Sequence, residues 1–385
     1  MTETLPYWRL SAFYFFFFAV LGALVPYWGP YLRSLGYQAE AIGSLVAVLH
    51  ITKVIAPNVW GWIADHTERR MAVVRLATLA ALVCFGGVYL GDGFWLLAAV
   101  TAAFSFFWNA ALPQFEANTM NHLGPAVHRY SRVRLWGSIG FIFVVSLLGE
   151  AIDLRGAAIL PPVLVVLFAG LVVASLLAPE SRFGPEERAT VPFMGVLRQP
   201  HVAGFLIACF LIQASHGPYY AFFSIYLDDH GYSGGSIGLL WALGVVAEIL
   251  VFLLMDRWLP RHGPRRLMTA ALLLAALRWV LIGRYVDVLP VVVFAQTLHA
   301  ASFGVYHAVA ISMINRFFVG RNQGRGQALY SSMTFGAGVG LGTFASGFLW
   351  TQAGPEATFY VAAFTAVAAA VFAARSMPRH LESAG

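Results

Sequence analysis

The sequence predicts an all-α membrane protein, with twelve transmembrane helices in two pseudo-symmetric halves of six. Its 385 residues are 59% hydrophobic and only 11% charged, with mean hydropathy +0.72, whereas a soluble domain is roughly a quarter charged. So much apolar surface requires lipid as its solvent. Apolar runs recur between polar breaks, each able to cross about 30 Å of hydrocarbon at 1.5 Å per residue. Five charges, Lys53, Glu116, Arg134, Glu248 and Arg278, lie inside those runs. Each costs about 2.5–3.5 kcal/mol in hydrocarbon, so such residues face a polar cavity and pair there. A wet, charged interior points to the passage of a solute.

The helices are expected at about 8–32, 40–64, 71–90, 94–120, 131–151, 157–178, 200–227, 236–256, 266–284, 288–315, 325–351 and 357–375. The first starts near Trp8 without a small-residue cleavage site, so it reads as a retained span. The second ends in GWIADHTERRM, and the fourth and fifth meet at a turn near Gly124–Pro125. The longest polar stretch, Pro179 to Pro200, separates the sixth helix from the seventh. That divides the chain into 1–178, a cytoplasmic linker 179–199, and 200–385. The eighth helix ends in FLLMDRWLPRHGPRRLM, and the ninth and tenth turn near Asp287. Gly336, Gly338, Gly340, Gly342 and Gly347 suit the eleventh to close helix contact. Cys84 and Cys209 fall inside apolar spans, which argues against a disulfide.

The halves repeat weakly. Each places an Asp at the end of its second helix (Asp65, Asp256) and a double Arg opening the third (Arg69–Arg70, Arg265–Arg266). Two parallel six-helix repeats are a transporter plan. Of 24 basic residues, three lie inside the spans (Lys53, Arg134, Arg278) and three on one side (Arg33, Arg155, Arg284), leaving 18 on the other. This positive-inside asymmetry puts both ends in the cytoplasm, and the membrane expected is of the bacterial inner type. The basic balance therefore reports topology, and a nucleic-acid partner is not expected.

The segment Gly61-x-x-x-Asp65-x-x-x-Arg69-Arg70 resembles the loop signature of the major facilitator superfamily, with His66 in place of the usual base and Glu68 in place of a glycine. An Asp there can bond exposed helix N–H groups and pair with Arg, a clamp for the cytoplasmic gate.

The stretches PQFEA and YSRVRLWGSIGF resemble the lactose-permease family of oligosaccharide/proton symporters. The resemblance implies a substrate-binding pair of Glu116 and Arg134, with Phe141 stacking on the solute. Spacing independently puts Glu116 8 residues before the Gly124–Pro125 turn and Arg134 10 after it, at similar depth. A purely structural buried pair is the alternative. ALRW and QTLH imply a proton-coupling role for Arg278 and His299, but Ser302 stands where that family has its coupling Glu. Glu248 is the substitute carboxylate, unless it only neutralises Arg278.

The resemblance extends to the phenylpropionate-permease group through ASHGPYY, GYS, LWALGVVAEI, Arg278–Trp279 and the His299–His307 run. His216, Tyr219, Tyr220 and His307 are candidate cavity liners, and each fits equally well as a helix contact.

The interior charges sum to +3 (Lys53, Arg134, Arg278) and −2 (Glu116, Glu248), a net +1 with histidines neutral. Lys53 lies 13 residues after Glu40 and 12 before Asp65, close to mid-membrane. A bound anion would compensate the excess cation; alternatively Lys53 bonds helix carbonyls or neutralises a glutamate, leaving a neutral solute. The expectation is proton-coupled import of a small monocarboxylate, aromatic by the resemblance, by alternating access. The partners expected are a small-molecule substrate, protons and lipid, with the protein working as a monomer. No catalytic triad, metal-ligand spacing or nucleotide fingerprint occurs, and no cofactor is expected. A neutral sugar or nucleoside symporter is the runner-up. A membrane sensor would need an output module, for which about ten residues follow Arg375.

Overall fold

The computed structural model describes residues 5–181, 193–320 and 322–378. The elements are Tyr7–Ser34 (α1), Ala39–Thr67 (α2), Arg70–Leu90 (α3), Phe94–Leu123 (α4), Tyr130–Arg155 (α5), Ala157–Leu177 (α6), the short Phe193–Leu197 (α7), Pro200–Asp229 (α8), Gly234–His262 (α9), Pro264–Arg284 (α10), Leu289–Phe317 (α11) and Asn322–Ser376 (α12). At 55 residues α12 is too long for one crossing. It folds back at Gly354, whose φ of 84° suits glycine, followed by Pro355. With its two limbs counted, the described residues hold the twelve apolar crossings that the sequence predicts. All are helical, as lipid requires of backbone that cannot bond to water.

The departures lie within the spans. α8 breaks between Ser215 and Gly217, where Pro218 removes a backbone donor from the new first turn. α11 widens to a π-turn at Ala300–Val305, and α12 does so at Ser332–Gly338. α9 continues to His262, beyond the expected 256.

The chain forms two compact units, one of Met1–Pro185 with Tyr232–Leu239, the other of Glu186–Gly231 with Leu240–Gly385. Residues 182–192 of the expected linker lie outside the described residues. In the first unit α1 packs along α5 and α6, while α4 packs on α2 and α3. Glycines let α1 and α5 touch backbone to backbone. A Cβ at Gly140 would stand 2.2 Å from the Phe15 carbonyl oxygen, and one at Gly22 2.8 Å from that of Phe141. The first turn of α9 belongs to this unit because Gly234 and Gly235 donate their N–H groups to Asp153, at 2.6 and 2.9 Å. A carboxylate there is favoured by the helix dipole. In the second unit α12 packs on α8 and α10. Its glycines serve close approach as expected: a Cβ at Gly342 would meet the Ala214 carbonyl oxygen at 2.1 Å. Cys84 and Cys209 are both free.

Candidate functional site

Each unit carries its own polar cluster. In the first, α4 presents Glu116 and α5 presents Tyr130 and Arg134. The Tyr130 hydroxyl donates to Glu116 Oε1 at 3.2 Å, and the Tyr14 hydroxyl donates to Thr119 at 3.2 Å. The Arg134 guanidinium lies over Phe18, 3.7 Å from the ring centre, with Tyr14 at 5.8 Å. Gly137, one turn on, leaves room for it: a Cβ there would be 2.6 Å from Arg134 Nη1. Glu116 and Arg134 are electrostatic neighbours but form no direct ion pair. Tyr130 takes the carboxylate and Phe18 takes the cation.

Phe141, expected as a stacking ring, is buried with its backbone against Gly22 of α1. The aromatic surface beside Arg134 is Phe18. Its signal was the run Phe15–Phe18 on α1, within which the sequence sets no ring apart. Lys53 is half-buried on α2, and its neighbour in sequence, Thr52, belongs to a polar seam. Thr52 Oγ1 lies 2.9 Å from Ser105 Oγ, and Asn109 Nδ2 donates to Thr52 at 2.9 Å.

The second cluster is tighter. Arg278 of α10 is fully buried. Its Nη1 donates to His299 Nδ1 and to Ser302 Oγ, both at 3.0 Å. Its Nη2 donates to Gln296 Oε1 at 2.8 Å. Its guanidinium carbon lies 4.2 Å from the Tyr219 ring centre and 4.7 Å from that of Trp279, in the range of a cation–π contact. Gln296 is itself held by donating to Tyr219 Oη at 3.1 Å and to the Leu240 carbonyl at 2.9 Å. Because His299 Nδ1 accepts from Arg278, its proton sits on Nε2, which faces Glu248 Oε2 at 3.6 Å. Two glycines make space: a Cβ at Gly244 would meet the His299 ring at 3.3 Å, and one at Gly304 would meet Glu248 Cγ at 3.3 Å. The π-turn of α11 starts directly after His299; such turns recur at functional sites. His216 caps the break in α8, donating Nδ1–H to the Ile212 carbonyl at 2.8 Å and packing edge-on to Trp279 at 4.9 Å. The structure thus brings Glu248, Arg278, His299 and Tyr219 together. Gln296 was in plain view within QTLH and went unassigned, since amides carry no charge signal.

At the end of α2, Arg70 Nη2 donates to Asp65 Oδ1 at 3.2 Å, with the Asp65 side chain 60% exposed. Arg69 and Asp256 are exposed, and Gly61 of α2 faces Gln114 of α4. Glu68 adopts φ 54°, a left-handed conformation that explains why the signature places glycine there. The helix N–H bond expected of Asp65 is made by Glu180 instead: both its oxygens accept from Met71 N–H at 3.1 Å.

The chain is 27% identical over 393 residues to the "Probable 3-phenylpropionic acid transporter" of Escherichia coli, covering 96% of this chain and 97% of that one. It is 27% identical over 345 residues to the maltose permease of Geobacillus stearothermophilus, covering 88% and 86%. Among solved structures, the nucleoside transporter NupG superposes with TM-score 0.80 at 19% identity, covering 95% and 98%. The POT family transporter PepTSo superposes with TM-score 0.78 at 12% identity, covering 97% of each chain. The family model of the MFS_1-like family matches residues 7–361, and with this fold it establishes the chain as a member of that family, a multi-pass membrane transporter of the major facilitator superfamily.

Proposed function

We propose that this transporter is a proton-coupled symporter importing a small monocarboxylate, of the aryl-propionate class, by alternating access across a bacterial-type inner membrane with both termini cytoplasmic. The observation that carries this reading is the interior charge excess: three cations (Lys53, Arg134, Arg278) against two carboxylates (Glu116, Glu248). Burying an unmatched cation is costly, so a solute carboxylate is its natural partner. The relative described as a phenylpropionic acid transporter supports the class. Glu116, Arg134, Lys53 and Phe141 are assigned to substrate, and Tyr219 and His216 to the cavity wall. Glu248 is assigned to the proton, with His299 and Arg278 fixing its surroundings, and Asp65, Arg69, Arg70, Gly61 and Asp256 to gating. The working unit is a monomer without a cofactor.

A second reading, a neutral sugar or nucleoside symporter, draws on the maltose permease relative and the nucleoside transporter fold match. Counterflow in proteoliposomes separates the two. Unlabelled 3-phenylpropionate is expected to drive entry of its labelled form, with maltose and uridine inert. Counterflow with the uncharged solutes and none with acids would reverse the assignment.

A further inference from the structure

Arg278 is a fully buried cation whose close partners are all neutral. His299 Nδ1, Ser302 Oγ and Gln296 Oε1 accept from its two Nη groups, and the Tyr219 and Trp279 rings pack against it. Among the described residues no carboxylate forms an ion pair with it. The nearest along this network, Glu248, is reached only across the His299 ring. Its Nε–H is also buried and has no acceptor. A buried guanidinium normally completes its donors on a carboxylate, where the charge-assisted bond is about twice as strong as a neutral one. An orphan buried donor retains its full desolvation cost. Three hydrogen bonds and two adjacent rings, Tyr219 and Trp279, fix the guanidinium, so the direction of its unpaired Nε–H is preorganised.

Resting on the monocarboxylate reading above, we propose that Arg278 is a binding residue for the carboxylate of the transported acid, which accepts from its Nε–H edge. This assigns the second unit an anion subsite of its own, beyond Lys53 and Arg134. Ser302 leaves Arg278 without an internal counter-ion. A carboxylate at that position, where the serine oxygen lies 3.0 Å from Nη1, would give Arg278 an internal counter-ion.

Ser302→Glu therefore tests the assignment directly. Equilibrium binding of labelled 3-phenylpropionate and of its neutral analogue 3-phenylpropanol is measured on the purified protein in nanodiscs. The expected result is a fall of about tenfold or more in the acid-to-alcohol affinity ratio, since the introduced carboxylate both occupies the guanidinium and repels the ligand's charge. Should Ser302→Glu fail to give folded protein, Arg278→Lys decides. Lysine keeps the charge but has no Nε–H edge of this geometry, and the same ratio is expected to fall about tenfold. An unchanged ratio in a folded variant overturns the Arg278 subsite while leaving monocarboxylate transport standing. Wild-type protein that binds no monocarboxylate overturns both. Displacement of the acid by chloride at equal concentration, lost with Arg278→Lys, would make this a small inorganic anion site and likewise overturn the assignment.

Discussion

At the scale of single residues, Glu116 and Arg134 act through different neighbours, which sharpens their tests. Glu116 accepts from Tyr130, and Arg134 rests on Phe18. Because neither neutralises the other directly, a substitution at one does not orphan a bonded charge on the other. Glu116→Gln and Arg134→Lys are therefore expected to lower substrate affinity by about tenfold or more while leaving thermal stability near wild type. Near-native binding by either variant would make the pair structural. Glu248→Gln is expected to abolish uptake against a gradient yet retain exchange of solute. Measured accumulation by Glu248→Gln would take the proton role away from that residue. The charged members of both clusters were legible in the sequence because a charge inside an apolar run is too costly to persist without a polar cavity or a partner. Phe18, Tyr130 and Gln296 were not, since aromatic and amide side chains are ordinary in such helices and their role depends on what packs opposite.

At the scale of the element, the apolar length of each span was sufficient to place it, and the two limbs of α12 follow from 55 residues interrupted at Gly354. What the sequence did not disclose are the breaks inside spans: the junction at His216, and the π-turns at Ala300–Val305 and Ser332–Gly338. Hydropathy averages over a window and cannot register a single-residue change of helical phase. The glycines behave according to what faces them. Gly140→Ala would push a Cβ to 2.2 Å from a backbone carbonyl, which no rotamer can relieve. It is expected to cost about 1–3 kcal/mol through forced backbone shifts. Gly86, with φ −55° and open space within 4 Å of where a Cβ would stand, is the control: Gly86→Ala is expected to be neutral or slightly stabilising. Thermal unfolding of the two variants in detergent checks this, and an equal Tm for both would show that the α1–α5 contact yields more easily than its geometry implies.

At the scale of the whole molecule, the orientation in the bilayer rests on charge alone. Eighteen basic residues are assigned to one side and Arg33, Arg155 and Arg284 to the other. The cytoplasmic side is favoured for Arg-rich short loops during insertion, and at about 2.3 kcal/mol per charge per 100 mV the membrane potential opposes moving them outward. The helix order supports the same alternation: Arg155 closes α5, Arg284 closes α10 and Arg33 lies in the last turn of α1. The double-Arg openings of α3 and α10 lie at opposite ends from these. Alkaline phosphatase fused after Gly36, Gly156 or Val286 is therefore expected to be active, and fused after Glu68, Gln199 or Gly263 to be inactive. The inverse pattern would put the Asp65–Arg70 pair on the outer face. The gating role assigned to that loop would then operate on entry of solute rather than on its release, and the cytoplasmic placement of both termini would have to be abandoned.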